Sequence, residues 1–249
     1  MHDHRGDYGI DGSFHTVSAR WQAIGLAAQT AALAGWGAIS WARGKRAPAA
    51  LAATSAVGIA TSAALYAYAT RVGKFIVWDR VLDDLGLRGD ETVLDLGCGR
   101  GAVLLAAAKR LPRGRAIGVD LWQADQTDNS PDATLANAAL EHVADRVEVR
   151  TADMTALPLA DDSIDVIVSN LAIHNIATRA GRHKALDEAV RVLRPGGRLA
   201  IADLWETRQH AAHLRELGWR NVRRRNLGWR MYYGGPWFST RLVTATKPG

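Results

Sequence analysis

Val93-Leu94-Asp95-Leu96-Gly97-Cys98-Gly99-Arg100-Gly101 (VLDLGCGRG) opens as an apolar strand and ends where a helix can start. Three glycines at alternate positions let the backbone turn tightly and approach a ligand closely. Asp95 sets a carboxylate at the carboxyl end of that strand, where open α/β sheets bind ligands. Nicotinamide-dependent folds use a similar glycine turn. Here an acid precedes the first glycine by two residues. Such a carboxylate repels a pyrophosphate and welcomes a ligand with a cationic amino group.

Around this stretch, short apolar runs alternate with helical ones. Residues 92–96, 116–119, 147–150, 164–169 and 199–202 read as strands, and 102–111, 132–143, 181–193 and 208–217 have helical spacing. The alternation predicts a parallel sheet with helices on both faces. Residues 221–226 and 239–246 read as two further strands joined by a loop rich in glycine and aromatics. A connection without a helix implies an antiparallel pair closing the sheet.

Further polar residues stand at the predicted strand ends. Asp120, in Gly118-Val119-Asp120, follows the second strand and suits two ribose hydroxyls. Trp122 lies against an adenine ring or packs internally. Asp153, in Thr151-Ala152-Asp153-Met154, receives an adenine amino group or serves its own turn. Ser169-Asn170-Leu171-Ala172-Ile173-His174-Asn175 emerges after the fourth strand, over the reactive end of a bound ligand. Leu193-Arg194-Pro195-Gly196-Gly197 reads as a helix stop and a turn before the fifth strand.

Taken in order, these segments resemble the class I S-adenosylmethionine-dependent methyltransferases over residues 75–248. The likeness is greatest to the small-molecule branch that includes the ubiquinone and menaquinone methyltransferases. The resemblance implies an α/β fold with a seven-stranded Rossmann-like sheet in the order 3-2-1-4-5-7-6, its last strand antiparallel. It implies that Asp95, Gly97, Cys98, Gly99 and Gly101 hold the methionine part of S-adenosylmethionine. Asp120 would hold the ribose and Asp153 with Met154 the adenine, and Leu121, Trp122 and Asn170 complete the cofactor-binding set. S-adenosylhomocysteine would be the product.

Methyl transfer from a sulfonium is an in-line displacement that needs alignment and a dry site. His174 is the candidate base, since imidazole titrates near neutrality, against a packing role. Asn170 is the candidate for positioning an acceptor, against a role in loop closure. Tyr232, Tyr233 and Trp237, with Trp229, crowd the loop between the last two strands and form a candidate roof for the acceptor. His142 and His183 fall in predicted helices and read as solvated. No metal is expected, because a hard-cation site needs several carboxylate oxygens, and the fourth strand ends in Ser169-Asn170 with only Asp203 near on the fifth. Cys98, inside the glycine loop, reads as a small packing residue.

The amino-terminal third lies outside the resemblance. Residues 21–42 and 47–70 contain no charged side chain, and each is long enough, as a helix of ~1.5 Å per residue, to cross a bilayer core of ~30 Å. Trp21, Trp36, Trp41, Tyr66 and Tyr68 stand towards their ends, as interfacial aromatics do. Gly25, Ala28, Ala32, Gly35, Ala56, Ala60 and Ala64 offer small faces for close helix approach. A soluble Ala-rich hairpin is the alternative. The chain thus divides into a flexible tail (1–20), a hydrophobic helical hairpin and membrane anchor (21–72) and the methyltransferase domain (73–249). In the tail, His2, Asp3 and His4 read as a metal cluster or as a frayed end. Arg5, Arg20, Arg71, Lys74 and Arg80 against Arg43, Lys45 and Arg46 orient the domain towards the cytoplasm, at the cell membrane. Membrane lipid is the expected partner of residues 21–70, and the hairpin offers a surface for self-association.

The 249 residues carry one cysteine, which rules out an internal disulfide, and a formal charge of +6, too small an excess to call for nucleic acid. Arg223-Arg224-Arg225, with Arg220 and Arg230, reads as a charged strand edge that guards against aggregation. Little chain separates Asp203 from the helix at 208–217. The pocket must therefore be closed by the segment before the first strand, by the aromatic loop or by lipid, and a lipophilic acceptor such as a quinone, a lipid or an apolar xenobiotic is expected. Two other readings stand beside this one: a dinucleotide-dependent oxidoreductase and a non-catalytic membrane adaptor.

Overall fold

The computed structural model describes residues 6–12, 17–123 and 125–249, so the His2, Asp3 and His4 cluster lies outside the described residues. Two long helices come first, α1 (Ala19–Ala42) and α2 (Arg46–Tyr68). The short turn between them pairs the end of α1 with the start of α2. Gly37 and Ser40 are buried against Ala49, Ala52 and Ala56. A Cβ on Gly37 would stand 3.4 Å from that of Ala52. The seam differs from the expected one. Gly25 and Gly35 have nothing within 4 Å of an added Cβ, and Ala28, Ala32, Ala60 and Ala64 are exposed. Of the expected small residues, Ala56 is the one buried in the seam. The outer faces show water large apolar side chains, with Trp21 64% and Leu51 67% exposed.

A single π-helical turn (Ala69–Gly73) joins α2 to α3 (Lys74–Leu85), and the helix runs unbroken from Arg46 to Leu85. Its second part is amphipathic and buries Val77, Trp78, Val81 and Leu82 against the sheet. The hairpin thus continues directly into α3.

The sheet contains β1 (Thr92–Leu96), β2 (Arg115–Asp120), β3 (Val147–Thr151), β4 (Ile164–Asn170), β5 (Leu193–Asp203), β6 (Arg223–Asn226) and β7 (Arg241–Thr246). Their order is β3-β2-β1-β4-β5-β7-β6, with β7 antiparallel to both neighbours. Helices α4 (Ala102–Ala108), α5 (Pro131–Leu140), α6 (Arg179–Val192) and α7 (Thr207–Glu216) complete it. Successive strand residues point to opposite faces. Val93 accordingly joins Trp78, Leu82, Leu104 and Leu105 on one side, while Leu94 and Leu96 join Ile167, Leu186 and Leu214 on the other.

Two features depart from expectation. First, the Pro195-Gly196-Gly197 turn lies inside β5 as a bulge. Ile164 pairs with Leu193 and Val166 with Arg198, and Lys247 exchanges hydrogen bonds with Gly196 (3.0 Å) and Gly197 (2.8 Å). Second, residues 6–12, placed by composition in a flexible tail, form a strap across the carboxyl edge of the sheet. Tyr8 is buried, Asp11 bridges to Gln126, and Arg100 grips the Asp7 carbonyl (2.7 Å) and carboxylate (3.0 Å).

Candidate functional site

A cavity of about 510 Å³ opens at the carboxyl ends of β1, β2, β4 and β5, within the usual range for small-molecule sites. The glycine loop after β1 forms its floor. Gly97 has φ +72°, and a Cβ there would meet that of Ala172 at 2.2 Å, so no other residue fits. The Val119 carbonyl accepts from Gly97 N (2.8 Å), and the Thr134 hydroxyl donates to the Gly99 carbonyl (2.6 Å).

Asp95 is fully buried beneath the loop, and its Oδ1 has no hydrogen-bond partner. Burial, and then the nearby charge of Asp120, push its carboxyl up to about 8. Asp120 accepts from Gly99 N at 2.8 Å and from Trp122 N at 2.7 Å, tying the loops after β1 and β2 together. Its carboxyl is also raised, by burial, against the lowering effect of those bonds. Burial and the charges of Asp95 and Asp120 raise the Cys98 thiol well above its ordinary range, which keeps it protonated.

At the far end, His174 sits on a 3-10 turn after β4 and lines the cavity. Its Nδ1 lies 2.5 Å from Oδ1 of buried Asp203, and its backbone N–H donates to Oδ2 of the same carboxylate at 3.0 Å. Burial alone would raise Asp203, but hydrogen bonds and charge from His174 and His210 outweigh it and hold the carboxyl below its ordinary value. Asn170 also lines the cavity, and its Oδ1 accepts from Trp78 Nε1 at 2.9 Å.

The cavity thus brings together Asp95, Gly97, Cys98, Gly99, Asp120, Asn170, His174 and Tyr233. The remaining candidates lie outside its lining. Gly101 is the residue before α4, and Leu121 is exposed. Trp122 turns its Nε1 to the Thr151 hydroxyl, 2.8 Å away on β3. Asp153 is exposed and caps its own turn through Thr155 N (2.8 Å), while Met154 lies under the loop, 3.5 Å from where a Gly97 Cβ would be. Tyr232 bridges to Ser239, and Trp237 points outward, 73% exposed. His183, read as solvated, is half-buried and stacks on His213 with centroids 4.2 Å apart, whereas His142 is exposed just beyond α5. The arginine cluster lies on and near the edge strand β6, where Arg224 donates to the Thr207 hydroxyl (2.9 Å) and Arg225 to Asp84 (3.0 Å).

Sequence reasoning missed one side of the cavity: Asp11, Tyr66, Lys74, Asp125, Gln126 and Trp205. Asp11 is its hub. The carboxylate accepts from Lys74 Nζ (2.8 and 3.0 Å), Thr70 (3.0 Å) and the Tyr233 hydroxyl (3.0 Å), and the Tyr66 hydroxyl donates to the Asp11 carbonyl. One signal was available. Tyr66, Thr70 and Lys74 recur every fourth residue and form a polar stripe on an apolar helix.

The methyltransferase-domain family profile matches residues 94–201. The arsenite methyltransferase of Halobacterium salinarum is 40% identical over 118 residues, 47% of this chain and 28% of that protein. The ubiquinone/menaquinone biosynthesis C-methyltransferase of Dinoroseobacter shibae is 37% identical over 128 residues, 51% of this chain and 48% of that one. The chain thus spans about half or less of the length of these curated relatives. Among solved structures, a SAM-dependent methyltransferase from Aquifex aeolicus superposes with a TM-score of 0.55 at 23% identity, over 68% of this chain and 88% of that one. At that identity the likeness speaks for the fold.

Proposed function

On a chain that carries a class I S-adenosylmethionine-dependent methyltransferase domain, we propose that this cavity transfers a methyl group to a small lipophilic acceptor delivered from a membrane. The observation that carries the reading is the layout of one cavity. A buried carboxylate oxygen without a partner sits in a glycine cradle at one end, His174 stands at the other, and Tyr66 of the hydrophobic hairpin forms part of the wall.

The residues fit S-adenosylmethionine. Its ammonium group would supply the partner that Asp95 Oδ1 lacks, and its chain would lie in the cavity along the glycine loop. When bound, it supplies an electrophilic methyl on a sulfonium whose leaving group is a neutral thioether. Asp120 keeps a free lone pair on each oxygen for the ribose hydroxyls. Asn170 and His174 face the acceptor side, where His174 takes up a proton. Tyr233, Trp205 and the strap screen the site from water. Asp120 and Asp125 oppose a pyrophosphate, which weighs against a dinucleotide. A soft metalloid acceptor, as named for the Halobacterium relative, favours thiolate ligands, and this chain has one cysteine, buried as a thiol.

Membrane delivery is supported by the exposed apolar faces of α1 and α2 and by their direct continuity with the cavity wall. Lys74 is buried against Asp11, so it drops out of the charge count. Arg5, Arg20, Arg71 and Arg80 against Arg43, Lys45 and Arg46 still favour a cytoplasmic domain.

Thermal-shift measurements with S-adenosylmethionine, S-adenosylhomocysteine and NAD test the donor. The two sulfur nucleosides are expected to stabilise the chain, and a shift with NAD alone would sink the reading. Incubating membranes and lipid extracts with labelled donor, followed by mass spectrometry, tests the acceptor. Label confined to water-soluble products would refute the lipophilic class.

A further inference from the structure

From the contacts of Asp203 we infer that this residue positions His174 as a base for one class of acceptor, an uncharged lipophilic compound whose nucleophile is a hydroxyl oxygen. The inference rests on the methyl-transfer reading and deepens it.

Asp203 does not line the cavity, yet its buried carboxylate collects three contacts from the residues that do. It accepts from the backbone N–H of His174 (3.0 Å) and of Leu204 (2.8 Å), and it meets His174 Nδ1 at 2.5 Å. An ionised carboxylate accepts hydrogen bonds and donates none. Nδ1 must therefore carry a proton, which makes Nε2 the lone-pair nitrogen of the neutral ring. The ring is fixed twice over, by its own main chain on the same carboxylate and by the edge of Trp205 at 5.4 Å. His210, from α7, backs the carboxylate at 3.9 Å. The charged and titratable groups facing the imidazole are Asp203 from β5, with His210 behind it, and Asp125 from the loop after β2.

A base held in one tautomer is of use to a nucleophile that must lose a proton. A thiolate, or any group already anionic, needs none. With Asp11 offset by Lys74 and Asp95 by the donor ammonium, Asp120 and Asp125 also make the wall unfavourable to an anionic acceptor. His174 Nε2 takes the hydroxyl proton as the acceptor oxygen bonds to the methyl carbon. The methyl–sulfur bond breaks with its electron pair left on sulfur. Positive charge passes from sulfonium to imidazolium, opposite Asp203, and the proton later leaves to solvent.

The test uses the full chain in nanodiscs. ¹⁵N-histidine spectra read the His174 tautomer, calorimetry reads S-adenosylhomocysteine binding, and 4-octylphenol and octanethiol serve as acceptor probes. The wild type is expected to show the Nδ1–H tautomer and to methylate the phenol. Asp203→Asn is expected to lose that tautomer and to lower kcat on the phenol by about a hundred-fold or more. Its KM and S-adenosylhomocysteine binding should hold, and the acidic limb of its pH profile should move to lower pH. Should that variant not fold, His174→Gln leaves Asp203 its backbone donors and is expected to lose the same limb. An Nε2–H tautomer in the wild type, or a phenol rate within about three-fold in either variant, overturns the role of Asp203. Failure of the wild type to methylate the phenol overturns the hydroxyl class. Loss of S-adenosylhomocysteine binding by the wild type would instead mark failure of the methyl-transfer reading itself.

Discussion

Asp95 changes its preferred charge state when the chain folds. Its carboxyl, ordinarily near 3.8, is pushed up to about 8 by burial and by Asp120. The folded state therefore binds one more proton than the unfolded state between those values, and this residue's contribution to stability falls as pH rises through that window. A ligand ammonium reverses the preference by pairing with the carboxylate. Affinity for S-adenosylmethionine should thus increase with pH up to about 8, with release of up to one proton near neutrality, measured by calorimetry in buffers of different ionisation heat. Asp95→Asn should abolish donor binding yet raise the melting temperature at pH 7.5 by a few degrees, the shift that about 1 kcal/mol gives a domain of this size. Asp95 was legible in the sequence because its meaning is local: a strand, an acid, then glycines. Asp11 was not, because its partners stand between 55 and 222 residues away.

Among elements, the strap and the α2–α3 helix depend on each other. Lys74 is buried with its charge opposed by Asp11, and removing one member of such a pair leaves an uncompensated buried charge. Asp11→Asn should cost about 3–5 kcal/mol in denaturant unfolding. The double variant with Lys74→Met should recover most of that loss. The far end of the strap is anchored on Glu141, which accepts from Gly6 N (3.0 Å) and the Tyr8 hydroxyl (2.7 Å). Burial would raise this carboxyl, but bonds from Lys109, Gly6 and Tyr8 outweigh it and bring it down to about 2. Its contribution is complete above the unfolded value near 4.5 and is lost as pH falls towards 2. Hydrogen exchange at Gly6 and Asp7 should quicken across that interval. The regular elements were readable from period and composition. The bulge in β5 was not, because the bonds that keep Gly196 and Gly197 in the sheet come from Lys247, at the other end of the chain.

At the scale of the molecule, the layered sheet followed from alternation, its strand order from the family resemblance, and both hydrophobic helices from their lack of charge. Their union did not. The stripe of Tyr66, Thr70 and Lys74 hinted at it, but that α2 continues as α3 and lends Tyr66 to the cavity depends on packing against the distant strap. A chain cut near Arg71 would therefore lose the strap and a wall of the site along with its apolar helices. Leu51→Glu with Val57→Glu is the cleaner probe, since both side chains are exposed on α2 far from the cavity. These substitutions should release the chain from membranes in flotation assays. Methylation of membrane-borne acceptor should fall with them, while S-adenosylhomocysteine affinity holds. Asp11 and Tyr233 meet over the cavity although they come from opposite ends of the sequence. Any purification handle or fluorescent label joined ahead of Tyr8 competes with the grip of Glu141 and Asn137 on Gly6 and Asp7, whereas one placed after the exposed Gly249 leaves that closure intact.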